Sequence, residues 1–124
     1  MPSTRRRIDD RAGRTALARW AADPAAADRQ VTATAVRWSL EELAARRPGH
    51  TCEVRVPPFG VVQCLDGPRH TRGTPPNVVE TDAATWLGLV TGTADWGQAV
   101  ATGALRASGE RADLSGLLPL GSPS

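Results

Sequence analysis

A chain of 124 residues with a formal charge of +2 fits one domain that can bury about two thirds of its unfolded surface, so a core needs neither metal nor disulfide. Its fifteen basic side chains, all Arg, are interspersed with thirteen acids except at Arg5-Arg6-Arg7, which excludes a broad nucleic-acid footprint and leaves the triplet as an expected solvated tail. No window approaches the eighteen apolar residues of a membrane span and residues 1–19 are polar, so a soluble, cytoplasmic protein without a secretory leader is expected.

In chain order, the first helix is expected over Asp10 to Ala22, where Leu17, Trp20 and Ala21 share a face and Pro24 follows. A longer helix from about Ala26 to Arg46 carries a stripe of Ala33, Val36, Leu40, Leu43 and Ala44. Trp38 falls on another side of it beside Val31 and Ala35, which implies packing against two neighbours. Pro48-Gly49 stops this helix. The period then changes to two, because Cys52, Val54 and Val56 alternate with polar residues as in a strand with one wet face. Pro57-Pro58 makes a turn, and the nearly continuous apolar run from Phe59 to Leu65 suits a more central strand. A polar loop follows, and Val78-Val79 starts a short third strand.

Asp82 is a good N-cap for a helix over Ala83 to Thr91, with Trp86, Leu87 and Val90 on one face and Gly92 just past its end. Asp95 repeats the device for a short helix carrying Trp96, Ala99 and Val100, ended by Gly103. Leu105 and Ala107 alternate with Arg106 and Ser108 in a last strand. Leu114 to Leu120 forms a closing apolar segment, read as a short helix capped by Asp113. The units are an N-terminal tail and short helix (1–24), one domain (25–120) and a disordered tail (121–124).

Cys52 and Cys64 lack zinc-type spacing and only His50 and His70 could join them, so reduced thiols, and neither metal nor cofactor, are expected. If Val56 pairs with Phe59, Cys52 faces Gln63 and the thiols point to opposite sides, whereas a turn longer by one residue pairs them directly. No Gly-x-Ser-x-Gly elbow, Lys-bearing phosphate loop or His-Glu-x-x-His motif occurs, which points away from an enzyme. The one dense polar constellation is Arg69-His70-Thr71-Arg72, where two guanidiniums and an imidazole suit a carboxylate or phosphate, or form a lock with Glu80 and Asp82. The leucines at the C-terminus could be a movable flap over a cavity or an ordinary docked helix.

The order Asp82-x3-Trp86-Leu87, Gly92, Asp95-Trp96-x2-Ala99-Val100, Gly103-x-Leu105, Gly109 and the Leu-rich end resembles the sterol carrier protein domain, in its stand-alone bacterial form. The likeness extends upstream through the Cys52 to Leu65 hairpin and the Gly67 to Asn77 loop. It implies an α+β fold, with a small, mainly antiparallel sheet covered on one side by helices around an apolar tunnel. It also implies a non-catalytic protein holding a fatty acyl or other extended apolar ligand between the sheet and the later helices. The residues expected to line such a site are Trp86, Leu87, Val90, Trp96, Val100, Leu105, Leu114, Leu117 and Leu118, with Arg72 and His70 toward a headgroup. Transient membrane contact and a protein partner stay open, and nucleic acid is not expected. The alternative is an accessory interaction module related to the C-terminal domain of mycothiol-dependent maleylpyruvate isomerase-like proteins, without their catalytic helical bundle.

Overall fold

The computed structural model describes residues 6–67 and 77–120. Within these residues four helices and four strands follow in the order α1 (Asp10–Ala22), α2 (Arg29–Arg46), β1 (Cys52–Val56), β2 (Gly60–Cys64), β3 (Asn77–Thr81), α3 (Ala83–Thr91), α4 (Trp96–Thr102) and β4 (Leu105–Ser108), and a 3-10 turn comes after them at Ser115–Leu117. Every α-helix starts on an aspartate whose carboxylate accepts the backbone N–H three residues on: Asp9 from Ala12, Asp28 from Val31, Asp82 from Thr85 and Asp95 from Gln98. Asp28 shortens α2 relative to the expected start near Ala26, because residues 24–26 form a turn instead. Gly92 and Gly103 end α3 and α4 in the left-handed conformation.

The sheet order is β2-β1-β3-β4. Both outer pairings are antiparallel, whereas β1 and β3 run parallel at its centre. The fold is therefore α+β with a mixed, mainly antiparallel sheet. The apolar run expected to be central is instead an edge strand: among the described residues β2 bonds to β1 alone, and Val61 is 57 % exposed. The period-two pattern in β1 and β3 is sharp, with Cys52, Val54, Val56 and Val79 buried on the helix side. Their alternates carry charge on the other face, where Arg55 pairs with Glu53 and, at 3.9 Å, with Glu80, which also meets Arg106 at 3.2 Å.

One core joins the helices to the sheet, built from Val36, Leu40, Leu43, Val54, Val79, Trp86, Leu87, Leu105 and Leu114 among others. Trp38 sits on the α1 side, as its position on α2 implied, and packs directly over Gly13. A Cβ added at Gly13 would lie 2.1 Å from Trp38 Cγ, so only glycine permits this approach. The indole N–H donates to Asp10 at 3.2 Å, and the Arg14 guanidinium lies over the ring at 5.1 Å. Arg6 departs from the tail expected for its triplet, because with Arg46 it pairs with Glu42, which is 6 % exposed. Burial opposes ionisation of Glu42, yet the hydrogen bonds from Arg6 and Arg46 hold its carboxyl below the usual range. No helix among the described residues is long and apolar enough to cross a membrane.

Candidate functional site

Three chain segments distant in sequence meet beyond the end of the β1–β2 ladder. They are the α2–β1 connection, the chain leaving β2, and the C-terminal segment. At this junction the Leu65 N–H donates to the Arg47 carbonyl at 2.8 Å, while the Thr51 N–H donates to the Leu65 carbonyl at 3.1 Å. These two bonds hold Leu65 in the left-handed region, at φ 70°, which is costly for a branched side chain. Gly49 crosses so closely that a Cβ there would lie 1.9 Å from the Leu65 carbonyl oxygen. Asn77, 4 % exposed, ties in the remaining pieces: its amide donates to the Thr51 carbonyl at 2.8 Å and accepts the Arg111 N–H at 2.8 Å.

Between these segments lies a cleft of about 890 Å³. Leu65, Leu117 and Pro48 give it apolar surface, and Arg46, Arg47, His50, Thr51, Asp66 and Asp113 give it a polar rim. His50 Nδ1 lies 2.7 Å from Gln63 Oε1, which orients the ring. Asp113 accepts hydrogen bonds from Ser115, which keep its carboxyl below the usual range. Arg47 and His50 are exposed, whereas Arg46 is already engaged by Glu42. The rim thus offers both signs of charge above an apolar base.

The residues expected to line a tunnel are distributed unevenly around this feature. Trp86, Leu87 and Leu114 are fully buried in the core, with Leu105 and Val90 at 1 % and 2 % exposure. Trp86 donates its indole N–H to Ser39 Oγ at 2.9 Å, and that hydroxyl donates onward to the Val36 carbonyl at 2.9 Å. Trp96 is half-buried against the core, and Val100 is 43 % exposed, because the short α4 presents Ala99 inward instead. Leu117 reaches the cleft, and Leu118 is half-buried nearby in sequence. His70 and Arg72, with the proposed anion loop, and the 121–124 tail lie outside the described residues.

The sequence did not single out Arg47, Thr51, Asn77 or Asp113 as partners. Their only signal is sequence chemistry at chain reversals, Pro48-Gly49 and Asp66-Gly67, which marks turns without saying that two turns face each other. In the C-terminal segment, Ala112 and Leu114 are buried, and the Leu120 N–H reaches the Val90 carbonyl at 3.0 Å. Exposed Gly116 and half-buried Leu117 and Leu118 bridge these anchors, and the expected terminal helix is only the single 3-10 turn.

The model of the family described as bacterial SCP (sterol carrier protein) ortholog matches residues 28–120, from the start of α2 to the end of the C-terminal segment. No curated protein matches the chain.

Proposed function

Because the chain belongs to the family of bacterial sterol carrier protein orthologues, we propose that it is a cytoplasmic, non-catalytic carrier that holds an extended apolar molecule, such as a fatty acyl chain. Membership suggests binding of apolar small molecules, and the cleft at the C-terminal segment supports the finer reading. Its volume, about 890 Å³, falls within the roughly 300–1,000 Å³ typical of small-molecule sites. The acyl chain would lie along Leu65 and Leu117, with a carboxylate head near Arg47 and His50.

Energetics favour such a ligand over a small polar one. Each methylene removed from water contributes about 0.8 kcal/mol, so burying about ten gives roughly 8 kcal/mol, near that of a micromolar complex before ordering costs. Leu117 borders the cleft, so the chain between Leu114 and Leu120 would adjust to take up a bound acyl chain. No covalent step on the ligand belongs to this reading: the Ser39 hydroxyl is spent within the core, and burial keeps both thiols from an acyl chain in the cleft.

The test is a titration of the folded protein with cis-parinaric acid, paired with native mass spectrometry of protein purified from cell extract. Saturable one-to-one binding, weakened at least tenfold by Leu117→Asp, is expected. Non-saturable fluorescence, together with a bare protein in the mass spectrum, would defeat the carrier reading.

A further inference from the structure

The register of the β1–β2 hairpin sets Cys52 directly opposite Cys64, because Val56 pairs with Gly60 and the turn is the longer of the two that the sequence allowed. The Thr51 N–H bond to Leu65 identifies the cysteine pair as a non-hydrogen-bonded one. Opposed Cα atoms in such pairs stand about 4.5 Å apart, inside the 4.4–6.8 Å span that a disulfide accepts. Both side chains are fully buried on the helix-covered face, and both thiols are free. Thr51 and Leu65, their immediate chain neighbours, line the cleft described above.

We propose that Cys52 and Cys64 are a peroxide-responsive dithiol site, which closes into an intramolecular disulfide across the hairpin without rearrangement of the sheet. The facing sulfurs shift one another in opposite directions: the Cys52 thiol, ahead of burial, pushes Cys64 up, while the Cys64 thiol holds Cys52 down, and the Cys52 thiol also lies 3.9 Å from the Glu53 carbonyl oxygen. Cys52 is accordingly the attacking sulfur. Its sulfur attacks one oxygen of hydrogen peroxide as the thiol proton passes to the other, the O–O bond breaks, and the leaving oxygen departs as water. The resulting Cys52 sulfenic acid is then attacked by Cys64 sulfur, forming the S–S bond and releasing a second water. One peroxide is reduced by two electrons as two thiols become one disulfide.

Burial decides which oxidant can act. Both sulfurs are closed even to water in the static fold, so a peroxide of nearly water size needs only a slight local opening beside Thr51 and Leu65, whereas a bulky disulfide such as oxidised glutathione cannot approach them in the folded state. The bond would tie the β1–β2 ladder at its cleft end and constrain the unfolded chain, so the oxidised form should melt higher.

The experiment treats the folded full-length chain with hydrogen peroxide or oxidised glutathione, then alkylates under denaturing conditions and measures intact mass. Peroxide should give an unalkylated monomer two daltons lighter, with a Cys52–Cys64 cross-linked peptide that dithiothreitol cleaves, and glutathione disulfide should leave two alkylatable thiols. Cys64→Ser should leave a Cys52 sulfenic acid that dimedone traps. Two free thiols after peroxide doses that oxidise an exposed thiol, or a disulfide linking two molecules, would overturn the assignment, as would a bond that forms only in denaturant.

Discussion

The α1–α2 layer and the C-terminal segment both close the core, but they are held differently. In the helical layer, Trp38 fills the space left by Gly13 and bonds Asp10, while Arg6 and Arg46 converge on buried Glu42. Each contact there has one geometry and a polar partner. The C-terminal segment is anchored near its ends, by Leu114 and Asn77–Arg111 on one side and the Leu120 N–H to Val90 on the other. Between them, partly covered leucines supply non-directional contact that can be exchanged for contact with a ligand. The difference teaches where compliance lies: in the stretch from Ser115 to Pro119, not in the helices.

Mutating the leucines on either side of that boundary breaks the comparison most sharply. Leu114→Ala should cost about 2–5 kcal/mol in denaturant unfolding, as expected for a filled core position. Leu117→Ala should cost about 1 kcal/mol or less, while weakening cis-parinaric acid binding. Equal losses from the two would make the whole segment ordinary core and remove its compliance.

A second substitution tests the rigidity of the helical layer. Gly13→Ala forces Trp38 off its seat, and overpacking of this kind costs about 1–3 kcal/mol despite the better helix propensity of Ala. Thermal melting would read it directly, and an unchanged midpoint would show that α1 docks more loosely than its contacts imply.

Ser39→Ala removes the acceptor of the buried Trp86 N–H, which should cost about 1–3 kcal/mol for the group left unsatisfied. Trp86→Phe in the same background should recover part of that loss, since the orphaned donor is gone. A double-mutant cycle that shows no coupling would mean that the indole finds another partner.

The smallest effect is expected from the charge that fastens Arg6. Because Glu42 has a folded pKa below its unfolded value, its contribution is present above the usual glutamate range and is lost as pH falls through the folded value. Glu42→Gln should therefore be less stable than the parent at neutral pH, and the gap should narrow below about pH 4. Melting curves from pH 3 to 7 would show a constant gap if desolvation cancels the ion pairs instead.

What the sequence could reveal follows the range of the interactions involved. Asp82 with Gly92, and Asp95 with Gly103, act within one helix each, so α3 and α4 were legible to within a residue. The period of Cys52, Val54 and Val56 likewise exposed a strand with one wet face. The placement of β2 was not legible, since a run such as Phe59 to Leu65 reads alike at an edge or a centre, and only pairing shows Val61 in solvent. In sequence Trp96, Ala99 and Val100 form one apolar set, and only the packing of the short helix shows Ala99 turned inward and Val100 toward solvent. The cleft depended on Arg47, Leu65, Asn77 and Leu117 meeting from separate segments, and the Ser39–Trp86 bond joins residues from α2 and α3. Such long-range contacts leave no local pattern.

The parallel seam between β1 and β3 has a consequence for how the chain reaches this state. Only the β1–β2 hairpin pairs neighbouring sequence, whereas Cys52–Asn77 through Arg55–Glu80 join residues 25 apart, and the β3–β4 ladder from Thr81–Leu105 to Val78–Ser108 joins residues 24 to 30 apart. Loop closure must be met before such pairing returns any free energy, and the seam, which joins the hairpin to the rest of the sheet, is one of these slow, nonlocal events. Asn77, whose amide bridges Thr51 and Arg111, lies on it. Stopped-flow refolding should thus slow markedly in Asn77→Ala, while changes at the tip of the hairpin act mainly on unfolding.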